Sequence, residues 1–301
     1  MISNFRVKYV RDGLIEELHE GILQGCNSSV IDETPYYIRS CAKPIQSTLL
    51  IDYKVGFTPE ELALCSASHA GEECHIKVAR GILDKIGLDE SYLKCGVYPP
   101  LSRSMQDRML IKGEKFGAIH NNCSGKHLGF LAICKKQGWD LDTYYEPEHP
   151  LQIEVKKRLY EFCEIKGNYP MTTDGCGVPI VSMPLINLVK GYKNVADKYP
   201  ELIRAMIDNP YICGGEDRLD TEIMQNSKDL AAKIGASGLC VVYNIREDKG
   251  FAVKIHDASM PARRIAVLEI INRLGWAEIA YDRTIKTING KVVGEITVEC
   301  D

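Results

Sequence analysis

The chain has 301 residues, 45% of them hydrophobic, with a formal charge of −4 and a pI near 6.0. That length can bury a large core, and the mildly acidic balance offers no basic field to nucleic acid or to an acidic lipid surface. The opening MISNFRVKYVRDGLIEELHEG lacks the apolar stretch of a secretory signal, and no uncharged apolar run nears the roughly 18 residues of a membrane span, so the expectation is a soluble cytoplasmic protein.

The segment NFRVKYVRDGLIEELHEGILQ turns at Asp12-Gly13 and predicts a β-hairpin, since Asp-Gly supplies the backbone of a tight turn. The loop CNSSVIDETP leads to YYIRSCAKPIQSTLLI, read as a buried helix entered near Ser40. TPEELALCSASH opens with Thr58 as N-cap, Pro59 at the first helical position and Glu61 three residues after the cap. EECHIKVARGILDKIGL repeats apolar residues at three and four and predicts an amphipathic helix. Helices are also expected over 126–139, 151–167, 182–210 and 221–236. GLCVVYNI (238–245) and GFAVKIHDA (250–258) read as strands joined by the polar turn REDK. PARRIAVLEIINRLGW is a helix opened by Pro261, and the tail carries β-prone runs on either side of Asn289-Gly290. Strands at both ends with helices between predict an α/β two-lobe molecule forming a single unit over 1–301. Its antiparallel sheet comes from about 1–38 and 238–301, its helical lobe from about 39–237, and a cleft lies between them.

Twelve cysteines in a chain of this size, without a signal, point to reduced thiols and not to a disulfide framework. Cys65, Cys134, Cys163 and Cys240 lie in apolar contexts as small buried hydrophobes, while Cys26, Cys95, Cys213 and Cys300 occupy loop-like or terminal ones.

Four clusters could carry chemistry. Ser40-Cys41-Ala42-Lys43 is an S-x-x-K, which at helical spacing brings an amine under a hydroxyl that needs a base to attack. The lysine serves only if burial or neighbouring cations lower its pKa; a serine and an exposed lysine at this spacing also occur by chance. CSASHAGE (65–72) gathers hydroxyls, an imidazole and a carboxylate at a helix end, where an ordinary cap would look the same. HNNCSGKH (120–127) and TTDGCGVP (172–179) place Cys123, Lys126 and His127 on one segment and Asp174 and Cys176 on another. Metal site, reactive thiol and buried cysteine all remain open there, because Cys-x-x-Lys is not the Cys-x-x-Cys of a zinc site. Lys254 is a lone charge on an apolar strand that could equally point into solvent.

RSCAKPIQ, SASHAGE, HNNCSGKH, TDGCGVP and AVKIHD, in this order and spacing, resemble the rhizobial-type L-asparaginase family. The resemblance implies a fold similar to serine β-lactamases and glutaminases and two serine–lysine tandems, Ser40 with Lys43 and Ser68 with Lys254. It also implies zinc on Cys123, Lys126 and Cys176 with water completing the tetrahedron, and Arg39, His127 and Asp174 arranged around the centre. The implied activity is hydrolysis of L-asparagine to L-aspartate and ammonia through an acyl-enzyme, with Ser40 favoured as nucleophile over Ser68, in a homodimer. Cys41, inside the S-x-x-K, adds a further thiol. Rival readings are a glutaminase or other small-amide hydrolase, and a penicillin-recognising hydrolase, for which no S-D-N or K-T-G element is found. A zinc- or redox-sensing protein is the non-enzyme rival.

Overall fold

A computed structural model describes residues 4–25 and 31–300, so Cys26 and the start of the CNSSVIDETP loop lie outside the described residues. The expected hairpin is β1 (Asn4–Arg11) and β2 (Leu14–Gly25), turning through Asp12 and Gly13, both at positive φ. Short β3 (Tyr36–Tyr37) precedes α1 (Lys43–Asp52), α2 (Pro59–Ser66), α3 (Glu73–Ile86), α4 (Arg103–Ile111), α5 (Ser124–Gln137) and α6 (Pro150–Phe162). The strands β4 (Met171–Thr173) and β5 (Pro179–Met183) then lead to α7 (Leu185–Lys198), α8 (Pro200–Asp208), α9 (Pro210–Cys213) and α10 (Leu219–Gln225). Last come β6 (Leu230–Ile234), β7 (Leu239–Asn244), β8 (Lys249–Ile255), α11 (Met260–Arg273), β9 (Thr284–Lys286) and β10 (Val292–Cys300).

The sheet runs β6-β7-β8-β2-β1-β10-β9, with antiparallel neighbours throughout. Both chain ends build it, as expected, with Phe5 opposite Cys300 and Gly21 opposite Ile255. Every residue of β6 and β7 is buried, which requires cover on both faces of the sheet. Helices α7 and α11 pack on β7 and β8 and helices α10 and α8 on β6, while α1, α3, α6, α8 and α9 gather around α2 and α5 in the second lobe. The Thr58–Glu61 capping box is present: Thr58 Oγ1 accepts from the Glu61 amide and the Glu61 carboxylate from the Thr58 amide.

Two expected helices prove to be mixed. The 182–210 stretch begins inside β5 and divides at Tyr199-Pro200 into α7 and α8, because proline removes the amide that would continue the ladder. The 221–236 stretch holds the end of α10 and then β6, so the sheet begins before residue 238. LAAKI is buried on both faces and shows none of the alternation by which a half-exposed strand declares itself. Helix α4 has no counterpart among the expected elements.

Candidate active site

The ends of five elements meet at the β6 edge of the sheet. A 3-10 turn, Arg39–Ala42, packs on β6 and β7 and delivers Ser40 and Lys43 to the start of α1. The chain leaves α2 in extended conformation at Ala67 and presents Ser68. Helix α5 begins at Ser124, just after Cys123, and the β4–β5 turn carries Asp174 and Cys176. The approach of α5 to α2 depends on Gly125, where a Cβ would collide with the Leu64 carbonyl oxygen.

Lys43 is 1% exposed, and its amine meets three oxygens: the Ala67 carbonyl at 2.5 Å, the Ser68 hydroxyl at 3.0 Å and the Asn122 carbonyl at 3.3 Å. Carbonyls only accept, so two N–H groups are assigned to them, and the remaining position of the amine faces Ser68 Oγ. Burial first, and then the nearby Lys233 and Lys126, hold Lys43 below the ordinary lysine range against the opposing pull of the Cys123 and Cys176 sulfurs. The motif pairs Ser40 with Lys43, but in this arrangement Lys43 bonds Ser68. The Ser40 hydroxyl has no hydrogen-bond partner among the described residues. Arg39, just before it, holds the left-handed conformation (φ 45), a strained state for a non-glycine residue. Cys41 points away from this group: its sulfur donates to the Lys233 carbonyl at 3.2 Å, and burial pushes the thiol up to about 12.

Lys126 Nζ lies 3.0 Å from the Cys176 sulfur, and Cys123 and Cys176 are free, buried and mutually hydrogen-bonded. The shared proton stays on Cys123, whose thiol is raised well above its usual range by that bond and by burial. Cys176 is held far below its usual range by the bond from Cys123, with Lys126 and His127 adding to the effect. Burial alone would depress Lys126, but the two sulfurs outweigh it and raise its pKa. His127 is fully buried, which lowers its pKa to about 4 against the opposing effect of a hydrogen bond with Cys176; Nδ1 lies 2.7 Å from the Tyr144 hydroxyl. Arg39 Nε donates to Asp174 Oδ1 at 2.8 Å and its Nη1 to Ser237 Oγ at 3.2 Å, tying the β4–β5 turn to the β6–β7 turn. The Gly175 amide also binds Asp174 Oδ1, shaping the turn that presents Cys176.

Nine of the ten predicted residues therefore converge, and Lys254 does not. Its half-buried side chain on β8 donates to the Ile255 carbonyl at 2.6 Å, with Asp257 as its charged neighbour. The second lysine acting on Lys43 is Lys233 of β6, which is fully buried. It pairs with Asp220 at 3.3 Å and donates to the Ile234 carbonyl at 2.9 Å. The readable signal was Lys233-Ile234-Gly235, one residue removed from a K-T-G element. Asn121 was also overlooked: its amide nitrogen donates to the Cys95 and Gly96 carbonyls and its oxygen accepts from the Cys123 amide, which sets the HNNCS turn. Ser124 binds back to the serine segment, with its hydroxyl 2.9 Å from His69 Nε2.

The thiol and amine of Cys123 and Lys126 at the start of α5, facing the Cys176 thiol of the β4–β5 turn, form a donor set suited to zinc or a similarly thiophilic cation. A second group, Glu72, Cys74 and His75, brings three ligand atoms within 4.8 Å of one another. Its lone pairs are already engaged, however. His75 Nδ1 accepts from the Glu72 amide and Nε2 meets the Tyr211 carbonyl, while the Glu72 carboxylate accepts from the Tyr211 hydroxyl and the Glu216 amide.

The model of the family described as L-asparaginase II matches residues 7–298. Solved structures similar to this chain include a β-lactamase from Mycobacterium bovis, 11% identical at a TM-score of 0.42, with 91% of this chain and 95% of that one covered. A D-alanine carboxypeptidase from Burkholderia cenocepacia is 14% identical at 0.40, covering 91% and 94%. A β-lactamase/D-alanine carboxypeptidase from Pseudomonas syringae is 12% identical at 0.39, covering 90% and 94%. No curated protein matches the chain.

Proposed function

Because the chain belongs to the L-asparaginase II family and is thus an amidohydrolase of the asparaginase type, we propose that it hydrolyses L-asparagine to L-aspartate and ammonia through a serine acyl-enzyme. The observation that carries this reading is the Lys43 amine, buried and aimed at Ser68 Oγ while two carbonyls occupy its other positions. As the neutral amine, Lys43 accepts the Ser68 proton. Ser68 in turn takes the proton of Ser40, whose free hydroxyl and strained neighbour Arg39 favour it as the attacking group. The Ser40 oxygen bonds to the side-chain carbonyl carbon, the C–N bond breaks, and the proton held at Lys43 returns through Ser68 to the departing nitrogen. Water then cleaves the β-aspartyl ester by the same proton route in reverse. The place beside Ser68 that the motif gave to Lys254 falls to Lys43, and the buried Lys233 adds to the burial that lowers the Lys43 pKa.

Cys123, Lys126 and Cys176 would hold zinc, which supplies Lewis-acid polarisation of a bound carbonyl or carboxylate. Binding requires Lys126 to give up its proton. A homodimer and a cytoplasmic setting belong to the same reading. The test is ammonia release from L-asparagine and L-glutamine, with peptide mass mapping of the enzyme quenched during turnover. The expected adduct is on Ser40, and Ser40→Ala should lose at least about 10³-fold in kcat. An adduct on Ser68, or a Ser40→Ala enzyme with undiminished turnover, overturns the assignment. Silence on both amides, with zinc bound one to one, would move the chain to another amide.

A further inference from the structure

Tyr144 has no part in the family motifs, yet it is fully buried in the loop between α5 and α6. Gln152, itself 3% exposed, fixes the Tyr144 backbone by donating to its carbonyl at 2.8 Å. The hydroxyl has two neighbours: the Lys94 backbone amide at 2.9 Å and His127 Nδ1 at 2.7 Å, with the two rings edge to face at 5.5 Å. An amide can only donate, so the Tyr144 oxygen accepts from Lys94 and its own proton needs an acceptor. Nδ1 is that acceptor, which leaves the ring proton on Nε2. The opposite tautomer would strand the Tyr144 proton in a buried site and turn the Nε2 lone pair into a pocket that already holds the Cys176 sulfur. Either defect leaves a hydrogen bond unmade in a site closed to water.

We propose that Tyr144 is a positioning residue that fixes His127 in its Nε2–H tautomer, making His127 a hydrogen-bond donor to the Cys123–Lys126–Cys176 cluster and not a fourth metal ligand. This rests on the metal-site reading above, though not on any particular substrate. The donor has its acceptor at hand in the Cys176 sulfur, with which His127 shares a hydrogen bond, and an oxygen bound beside the cluster would offer another. Fixing a donor around a ligand set tunes affinity for the ion without touching it.

The experiment is ¹⁵N-histidine NMR on the full chain, metal-free and zinc-loaded, with zinc affinity measured by chelator competition. The expected wild-type spectrum has His127 protonated at Nε2 in both states. Tyr144→Phe keeps the ring and should introduce the Nδ1–H tautomer, with zinc affinity lowered about tenfold. His127→Gln, which retains a donor amide near the Nε2 position, should lose less affinity than His127→Leu. A wild-type His127 protonated at Nδ1, an Nε2 resonance that moves to the metal-bound range on zinc loading, or a folded Tyr144→Phe protein with unchanged tautomer and affinity overturns the proposal. The wild-type spectrum decides even where a variant fails to fold. Failure of the asparaginase reading appears in ammonia release and leaves the tautomer unaffected.

Discussion

Asp220→Ala removes the only carboxylate paired with Lys233 among the described residues. Both side chains are fully buried, and at 3.3 Å their attraction is about 5 kcal/mol at an effective dielectric of 20. After the substitution the ammonium keeps a single acceptor, the Ile234 carbonyl at 2.9 Å. Unpairing a buried ion in this way costs about 3–5 kcal/mol, because the surviving charge stays out of water. Urea denaturation followed by circular dichroism should register that loss. Replacing both partners, as Lys233→Met with Asp220→Leu, should recover most of it, since no charge is then left to desolvate. A loss under about 1 kcal/mol for Asp220→Ala, or a double variant no more stable than the single one, would refute the reasoning. Either result would mean that Lys233 is not held as a charged, desolvated group behind the site.

The same double variant should move the pH dependence of amide hydrolysis. Lys43 must lose its proton to act as a base, and Lys233 helps to drive that proton off; without it Lys43 holds the proton more tightly, so the acidic limb of kcat should shift to higher pH. A limb that stays in place or moves to lower pH would sever Lys233 from Lys43. Gly125→Ala should destabilise the protein by about 1–3 kcal/mol, because the new methyl meets rigid backbone at Leu64 and forces α5 off α2. If that variant melts like the wild type, the contact is softer than its geometry implies.

Features written locally were legible in the sequence. The Asp12-Gly13 turn and the Thr58–Glu61 box depend on residues within a few positions of one another, and both formed where the spacing placed them. The serine, cysteine and glycine motifs were also legible as groups, because each occupies one turn. Pairing between groups was less so. Lys43 sits three residues from Ser40, yet its amine reaches Ser68, since the extended exit from α2 carries the Ala67 carbonyl and the Ser68 hydroxyl to it. The choice between Lys233 and Lys254 was hidden for a related reason. Each is a lysine in an apolar strand, and only the order of strands shows that β6 borders the site while β8 lies inside the sheet. Tyr144 left no signal at all, because its partners Lys94 and His127 are distant in the chain and neighbours only after folding.

The pairing of β1 with β10 bears on how the protein is made. Phe5 leaves the ribosome long before Cys300, which at 5–20 residues per second means a delay of about 15–60 s. Through that interval the N-terminal hairpin offers neighbouring nascent chains an uncovered row of amides and carbonyls, with Leu14, Ile15 and Leu18 standing exposed beside it even in the finished fold. Production of this enzyme should therefore suffer more from crowded translation and high induction temperature than its final stability would suggest. Slower synthesis at low temperature, or a chaperone that shields strand edges, should raise the yield of folded protein without any change in sequence.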